Sequence, residues 1–278
     1  MADGRVLVTG GDGQVGRALR RLLPRADFRS RRELDVTDAG AVRSAVDGAV
    51  VVVHAAAMTN VDACEAAPAA AGEVNDRGTR LVAEAAHACG AQVVYLSTDY
   101  VFSGGAAPYA EDDPTGPLNV YGATKLAGER HLDPERDLVV RTSWVFGDGR
   151  NFVRTILAAA ETTPPRVVDD QRGRPTGAAA LAGALAALLE GPGLTGCVHV
   201  AGDGPPCSWA DLADAALAAG GREARVVRVD SASYAEAAGR VVAPRPPDST
   251  LQLTRARRLG LPLEDWRTSV NAYVKGIG

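Results

Sequence analysis

The stretch RVLVTGGDGQVGRALRRLL, residues 5–23, decides the fold. It begins with a short β-branched run, continues through a glycine cluster and ends as an amphipathic segment before Pro24. Glycines at positions 10, 13 and 16 give the spacing G-x-x-G-x-x-G. A backbone without Cβ atoms can approach a pyrophosphate closely, and a helix N-terminus attracts anions. The stretch therefore predicts a strand, a dinucleotide-binding turn and a helix, with an ordinary tight turn as the alternative.

The rest of the first half repeats this alternation. Apolar runs of strand length lie at residues 49–56, 92–98 and 138–144, and helix-like stretches separate them. Such runs are typical of parallel strands that are covered on both faces. We expect an α/β protein with a Rossmann-type doubly wound parallel sheet. Residues 1–143 should form the NAD(P)-binding domain, and residues 144–278 mainly a smaller substrate-binding lobe, some of whose strands return to the first sheet.

Composition restricts the class of protein. The chain has 278 residues, of which 46% are hydrophobic, so it can bury a large core. A net charge of -4 argues against a nucleic-acid partner, because such proteins usually carry a basic surface. The four cysteines show neither metal-ligand nor disulfide spacing and are expected to be reduced thiols. Apolar runs are too short for a signal peptide or a membrane span, so we expect a cytoplasmic protein without a membrane partner.

The region after the second predicted strand bears on the choice of cofactor. A carboxylate there binds the ribose 2′-hydroxyl of NADH, whereas an arginine accommodates the 2′-phosphate of NADPH. The sequence ADFRSRRELDVTD, residues 26–38, has arginines around Ser30 and no carboxylate in the expected slot. This favours NADPH, with NADH as the alternative, although a basic surface loop would have the same sequence. We assign the adenosine half of the cofactor to Ser30, Arg31, Asp35 and Val36.

Tyr121 and Lys125 lie four residues apart within PLNVYGATKLAGER, residues 117–130. On its own such a pair is most often two neighbours on a solvated helix face. Here YLSTDYVF, residues 95–102, places the Thr98 hydroxyl at the end of a predicted strand, where α/β folds bind ligands. Reduction of a ketone leaves an alkoxide that needs a proton, and a nearby ammonium lowers the pKa of a phenol. We therefore predict that Thr98, Tyr121 and Lys125 are catalytic.

Longer motifs resemble one enzyme family. They are TGGDGQVG (9–16), HAAAMTNVDACE (54–65), STDYVF (97–102), PLNVYGATKLAGER (117–130), RTSWVFGDGRNFV (141–153), DDQRGRPTG (169–177) and RPPDS (245–249). Through them the chain resembles the dTDP-4-dehydrorhamnose reductases, members of the extended short-chain dehydrogenase/reductase superfamily. Tyr-x-x-x-Lys alone marks only the superfamily, whereas STDYVF, RTSWV and DDQ-x-G-x-PTG together are specific to this group and close relatives.

The resemblance implies NAD(P)H-dependent reduction of the C4 ketone of a dTDP-4-keto-6-deoxyhexose, with Tyr121 as the proton donor. Together with the glycine motif it gives these cofactor-binding positions, beside Tyr121 and Lys125: Gly10, Gly13, Gln14, Val15, Gly16, Ala55, Ala56, Ala57, Met58 and Thr59. The substrate-binding positions are Thr98, Asp99, Tyr100 and Trp144. Arg245 is a further candidate for the dTDP diphosphate, because arginine suits phosphate geometry; a structural ion pair is the alternative.

Two departures from the family pattern stand out. Some members dimerise through a metal bridged by glutamates, but Ala18 and Ala179 stand at the matching positions. We therefore expect no structural metal and no metal-bridged homodimer, and leave a monomer or another kind of dimer open. His54 and Met58 replace other residues near the nicotinamide, which puts cofactor preference and pocket shape in question.

The leading hypothesis is a reductase that converts dTDP-4-dehydrorhamnose to dTDP-L-rhamnose. A C4 ketoreductase for another dTDP-deoxysugar of an antibiotic pathway, of the dihydrostreptose or 6-deoxytalose type, is the first alternative. The sequence leaves the C4 stereochemistry open, because it depends on the face of the sugar that meets the hydride. A non-catalytic NADP-binding regulatory subunit is the second alternative, and the intact Tyr121–Lys125 pair argues against it.

Overall fold

The computed structural model of the chain describes residues 4–161, 163–191, 193–223 and 225–277. Its strands are β1 (Arg5–Thr9), β2 (Asp27–Arg29), β3 (Ala49–His54), β4 (Gln92–Thr98), β5 (Leu138–Thr142), β6 (Val145–Phe146), β7 (Arg166–Val168), β8 (Arg172–Gly173), β9 (Thr176–Gly177), β10 (Gly196–His199), β11 (Cys207–Ser208) and β12 (Val227–Val229). Its helices are α1 (Gln14–Leu22), α2 (Ala39–Val46), α3 (Val61–Ala66), α4 (Pro68–Gly72), α5 (Gly78–Cys89), α6 (Val120–Glu129), α7 (Phe152–Ala159), α8 (Ala178–Glu190), α9 (Trp209–Ala219), α10 (Ser231–Ala238), α11 (Thr254–Arg258) and α12 (Trp266–Lys275). A π-helical turn, Glu73–Arg77, precedes α5, and a 3-10 turn, Asp99–Val101, follows β4. None of the helices in the described ranges has the length and hydropathy of one that crosses a bilayer.

The central sheet has the predicted doubly wound topology. Within the described residues, six parallel strands follow the order β10-β5-β4-β3-β1-β2. The chain moves outward from β1 to β2 and then crosses back to β3, so the order reverses between β1 and β3. In open α/β sheets, ligands bind outside the carboxyl ends of the strands at such a reversal. The Rossmann-type fold expected from the sequence is confirmed.

The inner strands are apolar because helices cover both faces of the sheet. Val93 packs in the cluster that includes side chains of α2 and α5, and Val94 packs in the opposite cluster with α1 and α8. Successive strand residues point to opposite faces, so a continuous apolar run fills both clusters. Each fully buried valine or leucine side chain contributes about 1.5–3 kcal/mol to stability.

Local sequence signals begin and end the helices. α5 ends at Gly90, whose left-handed φ of +85° favours glycine. α9 begins with a capping box in which Ser208 and Asp211 each accept the other's backbone N–H. These signals set the lengths of the helices independently of tertiary packing.

The second half of the chain contributes to two regions. β10 pairs in parallel with β5, and α8 packs against α1, so both elements belong to the central layers. Side chains of α7, α9 and α12 enclose a separate apolar core around Val153, Leu212, Trp266 and Val270. The boundary after residue 143 stays a prediction.

Candidate active site

The turn between β1 and α1 is a tight cradle in which packing requires glycine. Gly10 has a φ of +71°, and a Cβ there would lie 2.8 Å from the backbone nitrogen of Ala56. A Cβ on Gly16 would lie 2.6 Å from the carbonyl oxygen of Gly10. These two glycines therefore let β1, α1 and the segment after β3 approach one another.

The N-terminus of α1 is open to an anion. Gly13 is the exposed N-cap residue, and no side chain of the described residues caps the helix. A Cβ on Gly13 would contact only the carbonyl oxygen of Gly10, at 3.2 Å. Gln14 and Val15 follow, and the buried Oε1 of Gln14 lacks a hydrogen-bond partner among the described residues. Unpaired N–H groups at the positive end of a helix dipole fit a diphosphate.

The end of β2 has a carboxylate where the sequence predicts a slot without one. Ser30 donates its backbone N–H and its hydroxyl to one carboxylate oxygen of Glu33, at 2.8 and 2.6 Å. A carboxylate therefore lies beside Ser30, because the turn brings back the side chain three residues later. Arg29 is bound to Asp27 in an ion pair of 2.8 Å, and Arg31 is exposed.

Asp35 and Val36 lie in the turn that leads to α2. Asp35 accepts hydrogen bonds from the N–H and hydroxyl of Thr37, and these bonds hold the pKa of Asp35 below its usual value. Val36 is buried, and a Cβ on Gly78 of α5 would lie 2.9 Å from its side chain. These contacts fix the turn to which the sequence assigns the adenine.

A buried asparagine that the sequence alone does not reveal fixes the segment after β3. Asn75, in the π-helical turn, accepts a bond from the N–H of Met58 at 2.7 Å and donates to its carbonyl at 3.0 Å. Asn75 also donates to Thr124 Oγ1 of α6 at 3.1 Å. It therefore ties the half-buried Ala55–Ala57 and the exposed Thr59 to the helix that carries the Tyr–Lys pair.

His54 lies at the end of β3 and is fully buried. Its Nδ1 is 2.7 Å from Thr9 Oγ1, and its Nε2 is 3.2 Å from Thr79 Oγ1. Because Thr79 donates its own proton to the carbonyl of Asn75, this network assigns the hydrogen to Nε2. Burial, together with the charge of Lys125, lowers the pKa of His54 to about 3. His54 is therefore a neutral side chain that spaces β1, β3 and α5.

Two glycines bring α6 against the end of β4. A Cβ on Gly122 would lie 2.1 Å from the carbonyl oxygen of Tyr100, and one on Gly128 would lie 2.4 Å from Tyr95 Oη. The first turn of α6 is capped by Asn119, whose side chain accepts the N–H of Gly122 at 2.8 Å. This close approach places the next side chains of α6 over the carboxyl edge of the sheet.

Tyr121 lies beside the hydrogen-bonded end of β4. The hydroxyl of Thr98 donates to Asp99 Oδ1 at 3.0 Å and accepts the backbone N–H of Tyr100 at 3.2 Å. The rings of Tyr121 and Tyr100 meet edge to face with centroids 6.2 Å apart. Burial raises the pKa of Tyr121 above its ordinary value, although the nearby hydroxyl of Thr98 acts in the opposite direction. The expected lowering by Lys125 is therefore wrong for the ligand-free protein, because desolvation dominates; the phenol keeps its proton.

Lys125 is buried above an aromatic ring. Its side chain is 2% exposed, and its Nζ lies 4.0 Å from the centroid of Tyr95. Burial lowers the pKa of Lys125 to about 7, and the negative charge of Glu129 acts in the opposite direction. A cation above a ring face is attracted by the ring quadrupole, so Tyr95 favours the charged form.

A buried ion pair lies one turn beyond Lys125. Glu129 binds Arg141 of β5 at 2.8 Å, and the two side chains are 9% and 8% exposed. The hydroxyl of Ser97 donates to the same carboxylate. This pair fixes the far end of α6 on the sheet.

Asp99 is a buried carboxyl whose partner is distant in sequence. Its Oδ2 accepts a hydrogen bond from Ser249, a residue of the RPPDS motif that was not assigned to the site. Burial raises the pKa of Asp99 to about 7, although the bonds from Ser249 and Thr98 lower it. Thr142, paired in register with Thr98, has a buried hydroxyl without a partner in the part of the chain described. Neither Ser249 nor Thr142 has a local sequence signal beyond its motif.

Comparison with known proteins identifies the family. The family model described as RmlD substrate binding domain matches residues 4–277. A dTDP-4-dehydrorhamnose reductase of Streptomyces griseus is 43% identical over 284 aligned residues, which cover 96% of this chain and 91% of that protein. The chain belongs to the dTDP-4-dehydrorhamnose reductase family.

Two further relatives match this chain over nearly its whole length. The crystal structure of dTDP-4-dehydrorhamnose reductase from Bacillus anthracis str. Ames in complex with NADP has a TM-score of 0.89 and 32% identity, covering 98% of this chain and 99% of that chain. A probable dTDP-4,6-dihydroxy-2-methyloxan-3-one 4-ketoreductase of Streptomyces antibioticus is 39% identical, covering 96% of this chain and 93% of that protein. The predicted resemblance to dTDP-4-dehydrorhamnose reductases is confirmed.

In this dTDP-4-dehydrorhamnose reductase family member, Trp144 follows β5 with an unusual backbone. Its φ is +47°, and its indole stacks on Trp209 with ring centroids 3.8 Å apart and planes at 9°. A Cβ on Gly173 would lie 2.7 Å from the Trp144 ring, so glycine is required there. The positive φ and the stack together fix the orientation of the indole, whose predicted contact with the sugar nucleotide stays a prediction.

Arg245 forms the ion pair that the sequence left open as an alternative. It lies 2.5 Å from Asp62 of α3, and its Nη1 donates to the carbonyl of Ala243 at 2.6 Å. Arg240 binds the same carboxylate. The segment that carries RPPDS is therefore anchored to α3, and a contact of Arg245 with the diphosphate stays a prediction.

The positions connected with metal-bridged dimers lie on neighbouring helices. Ala18 is on α1 and Ala179 on α8, and these helices pack together. Across the described ranges, no cluster of histidine, cysteine, aspartate and glutamate could hold a metal ion. The oligomeric state stays a prediction.

Proposed function

We propose that this chain is an NADPH-dependent reductase of the C4 ketone of a dTDP-4-keto-6-deoxy-L-hexose. The proposed reaction is dTDP-4-dehydrorhamnose to dTDP-L-rhamnose, with NADH as the alternative cofactor. The observation that carries the proposal is the packing of α6 on the end of β4. It brings Tyr121 against Tyr100 and Lys125 over Tyr95 at the carboxyl edge of the sheet, where Thr98 donates to Asp99. Full-length relatives named dTDP-4-dehydrorhamnose reductase support it.

The residues present fit a dinucleotide. The open N-terminus of α1 at Gly13, Gln14 and Val15 suits the diphosphate, and the turn at Ser30 and Arg31 suits the adenosine half. The remaining positions proposed for the cofactor are Gly10, Gly16, Asp35, Val36, Ala55, Ala56, Ala57, Met58 and Thr59. The chemistry that a bound dihydronicotinamide supplies is a hydride for the carbonyl carbon.

Tyr121 provides the proton in the proposed reaction. Its raised pKa keeps the phenol protonated at neutral pH, so the proton is available when charge develops on the C4 oxygen. The proton passes from Tyr121 Oη to that oxygen and leaves a phenolate. A charged Lys125 stabilises the phenolate, and Tyr95 helps Lys125 to keep its charge. Thr98, Asp99, Tyr100, Trp144 and Arg245 are the proposed substrate contacts.

The alternatives have less support. The relative from Streptomyces antibioticus is named as a probable 4-ketoreductase of another dTDP-sugar, so a second C4 ketone substrate is an alternative. The reductases named for dehydrorhamnose favour the rhamnose reaction. The intact Tyr121–Lys125 pair argues against a non-catalytic subunit.

We further propose a cytoplasmic location and an assembly without a bridging metal. All four cysteines are free thiols, which persist in a reducing compartment. A monomer or a dimer formed through other contacts fits the alanines at positions 18 and 179. Residues 144–278 are proposed to serve mainly the substrate, since Trp144 and Arg245 belong to them.

The experiment that tests the proposed reaction follows NADPH oxidation at 340 nm by the purified protein. dTDP-4-keto-6-deoxyglucose and a 3,5-epimerase are supplied together, and the sugar nucleotide product is examined by NMR. dTDP-L-rhamnose is the expected product. A product with another configuration would move the chain to another deoxysugar, and the absence of turnover with either cofactor would contradict the proposal.

The role of Tyr121 is tested by Tyr121→Phe, with Tyr109→Phe as the matched control. Loss of the proton donor should lower kcat by about 100-fold or more. Tyr109 is buried against Phe102, outside the proposed site, so its variant should keep activity. Full turnover by a folded Tyr121→Phe would rule out the proposed donor.

A further inference from the structure

The end of β2 carries an anion seat that the protein's own carboxylate fills. We define the anion seat as the backbone N–H and the hydroxyl of Ser30, which both donate to Glu33 Oε2, at 2.8 and 2.6 Å. These bonds hold the pKa of Glu33 below its usual value, so the carboxylate is charged at neutral pH. Ser30 is only 6% exposed, whereas Glu33 is exposed. The seat therefore belongs to the fixed part of the fold, and its occupant is free to swing into solvent.

Two guanidinium groups lie near the anion seat, that of Arg20 and that of Arg29, which is paired with Asp27. The charges of Arg29 and Arg20 both lower the pKa of Glu33. Arg20 reaches over from α1, with its guanidinium 4.5 Å from the centroid of Phe28 and 3.2 Å from the position of a Cβ on Gly11. Without Glu33, the seat would present two hydrogen-bond donors between positive charges. Such a set suits a phosphate group.

The position of the anion seat in the fold identifies what competes for it. Ser30 follows Gly10 by twenty residues and ends the strand next to β1. In dinucleotide-binding sheets this place receives the 2′ substituent of the adenosine ribose. A ribose hydroxyl can donate to the carboxylate of Glu33 while Glu33 stays in place. A 2′-phosphate needs the donors that Glu33 occupies, and its charge opposes that of the carboxylate.

We propose that Glu33 is a specificity-determining residue that lowers the affinity for NADPH relative to that for NADH. Glu33 remains in the anion seat when the cofactor has a 2′-hydroxyl and must leave it when the cofactor has a 2′-phosphate. The inference rests on the proposed function, because it requires a bound dinucleotide. The ratio of the affinities for NADPH and NADH then depends on one side chain.

The test measures dissociation constants of NADP⁺ and NAD⁺ by isothermal titration calorimetry, without sugar substrate. Glu33→Gln removes the charge but keeps the shape, and Glu84→Gln is the matched control. Glu84 is exposed on α5, where it pairs with Arg80, so its variant loses the same unit of charge elsewhere. Removing a like charge next to the 2′-phosphate should tighten NADP⁺ binding by Glu33→Gln about tenfold. NAD⁺ binding should stay unchanged or weaken, and Glu84→Gln should match the wild type.

Other outcomes overturn the inference. Equal changes for both nucleotides, or the same change in Glu84→Gln, would show a general effect of charge. Weaker NADP⁺ binding by Glu33→Gln would mean that Glu33 supports Ser30 for the phosphate. Adding Ser30→Ala to Glu33→Gln should cancel the gain, and a persistent gain would also contradict the role of the seat. If the wild type binds neither nucleotide, the proposed function fails, whereas equal binding changes leave that function intact.

Discussion

Replacing Tyr95 should shift the pH dependence of the reaction through Lys125. Tyr95→Leu removes the ring 4.0 Å below Lys125 Nζ, whereas Tyr95→Phe keeps it. A cation above a ring in a desolvated site gains about 2 kcal/mol. That free energy corresponds to about 1.5 pKa units. The pKa of Lys125 should therefore fall by about 1.5 units in Tyr95→Leu.

The assay is kcat/KM for ketone reduction, measured from about pH 5 to about pH 9. Only charged Lys125 stabilises the phenolate of Tyr121, so kcat/KM should fall as pH rises through the pKa of Lys125. The wild-type midpoint should lie near 7, and Tyr95→Leu should move it down by about 1.5 units. For the ketone, kcat/KM reports the groups of the enzyme that already holds NADPH, so the shift between wild type and variant tests the ring.

Tyr95→Phe separates the ring from the hydroxyl. Both variants lose the bond from Tyr95 Oη to the carbonyl of Lys125, at 3.3 Å, but only leucine loses the ring. Leucine also leaves a cavity that costs about 2 kcal/mol or more, so urea unfolding is measured alongside. A folded Tyr95→Leu with the wild-type midpoint, or an equal shift in Tyr95→Phe, would refute the role of the ring.

The remaining predictions concern the glycine turn, the buried carboxyl and the ion pair beyond Lys125. Gly10→Ala should lower the free energy of unfolding by about 2 kcal/mol, because Gly10 has a positive φ and lies close to the backbone of the segment after β3. Gly13→Ala should leave stability unchanged in urea unfolding and weaken NADP⁺ binding. The raised pKa of Asp99 means that its contribution to stability is present below about pH 4 and is lost as pH rises through about 7. Asp99→Asn removes this pH dependence. The variant should therefore gain stability relative to the wild type between pH 4 and pH 8, by up to about 4 kcal/mol in the free energy of unfolding measured with urea. Glu129→Gln should cost about 3–5 kcal/mol in the same assay, because it leaves the buried charge of Arg141 without its carboxylate partner.

Each of these predictions has an outcome that contradicts it. Equal urea midpoints for Gly10→Ala and the wild type would show that the turn can relax. A stability difference between wild type and Asp99→Asn that does not change with pH would show that Asp99 has an ordinary pKa. For Glu129→Gln, the comparison is Glu84→Gln in the exposed pair with Arg80, which should cost about 0.5 kcal/mol at most; equal costs would contradict the burial effect.

The sequence predicts the fold and the catalytic groups because their signals are local. Apolar runs give the strands, and the glycine spacing gives the turn that opens α1. The bond between Ser249 and Asp99 joins residues 150 positions apart, so no local pattern could reveal it. The raised pKa of Tyr121 likewise depends on burial, which appears only when α6 packs on β4.

Glu33 is a different case, because its signal was visible. The spacing Ser-x-x-Glu at residues 30–33 is the pattern in which a serine and a glutamate bond across a tight turn. The residues next to Ser30 in the sequence include no carboxylate, but the turn brings that of Glu33, three residues later, into the slot. A turn can therefore place in a binding slot a side chain that lies outside it in the linear sequence.

The stacked indoles of Trp144 and Trp209 give the protein an optical signature of its own. Two chromophores stacked 3.8 Å apart couple their electronic transitions. The in-plane angle between their transition moments sets the strength of the paired positive and negative bands that this coupling produces in circular dichroism. Trp266 is buried in the same apolar core, with its Nε1 bonded to the carbonyl of Pro205, and is not part of the stacked pair. Trp144 follows strand β5, and Trp209 begins α9. The paired bands therefore report the position of α9 relative to the central sheet. Trp209→Phe should abolish them, and a sugar nucleotide that displaces either indole will be seen without any added label.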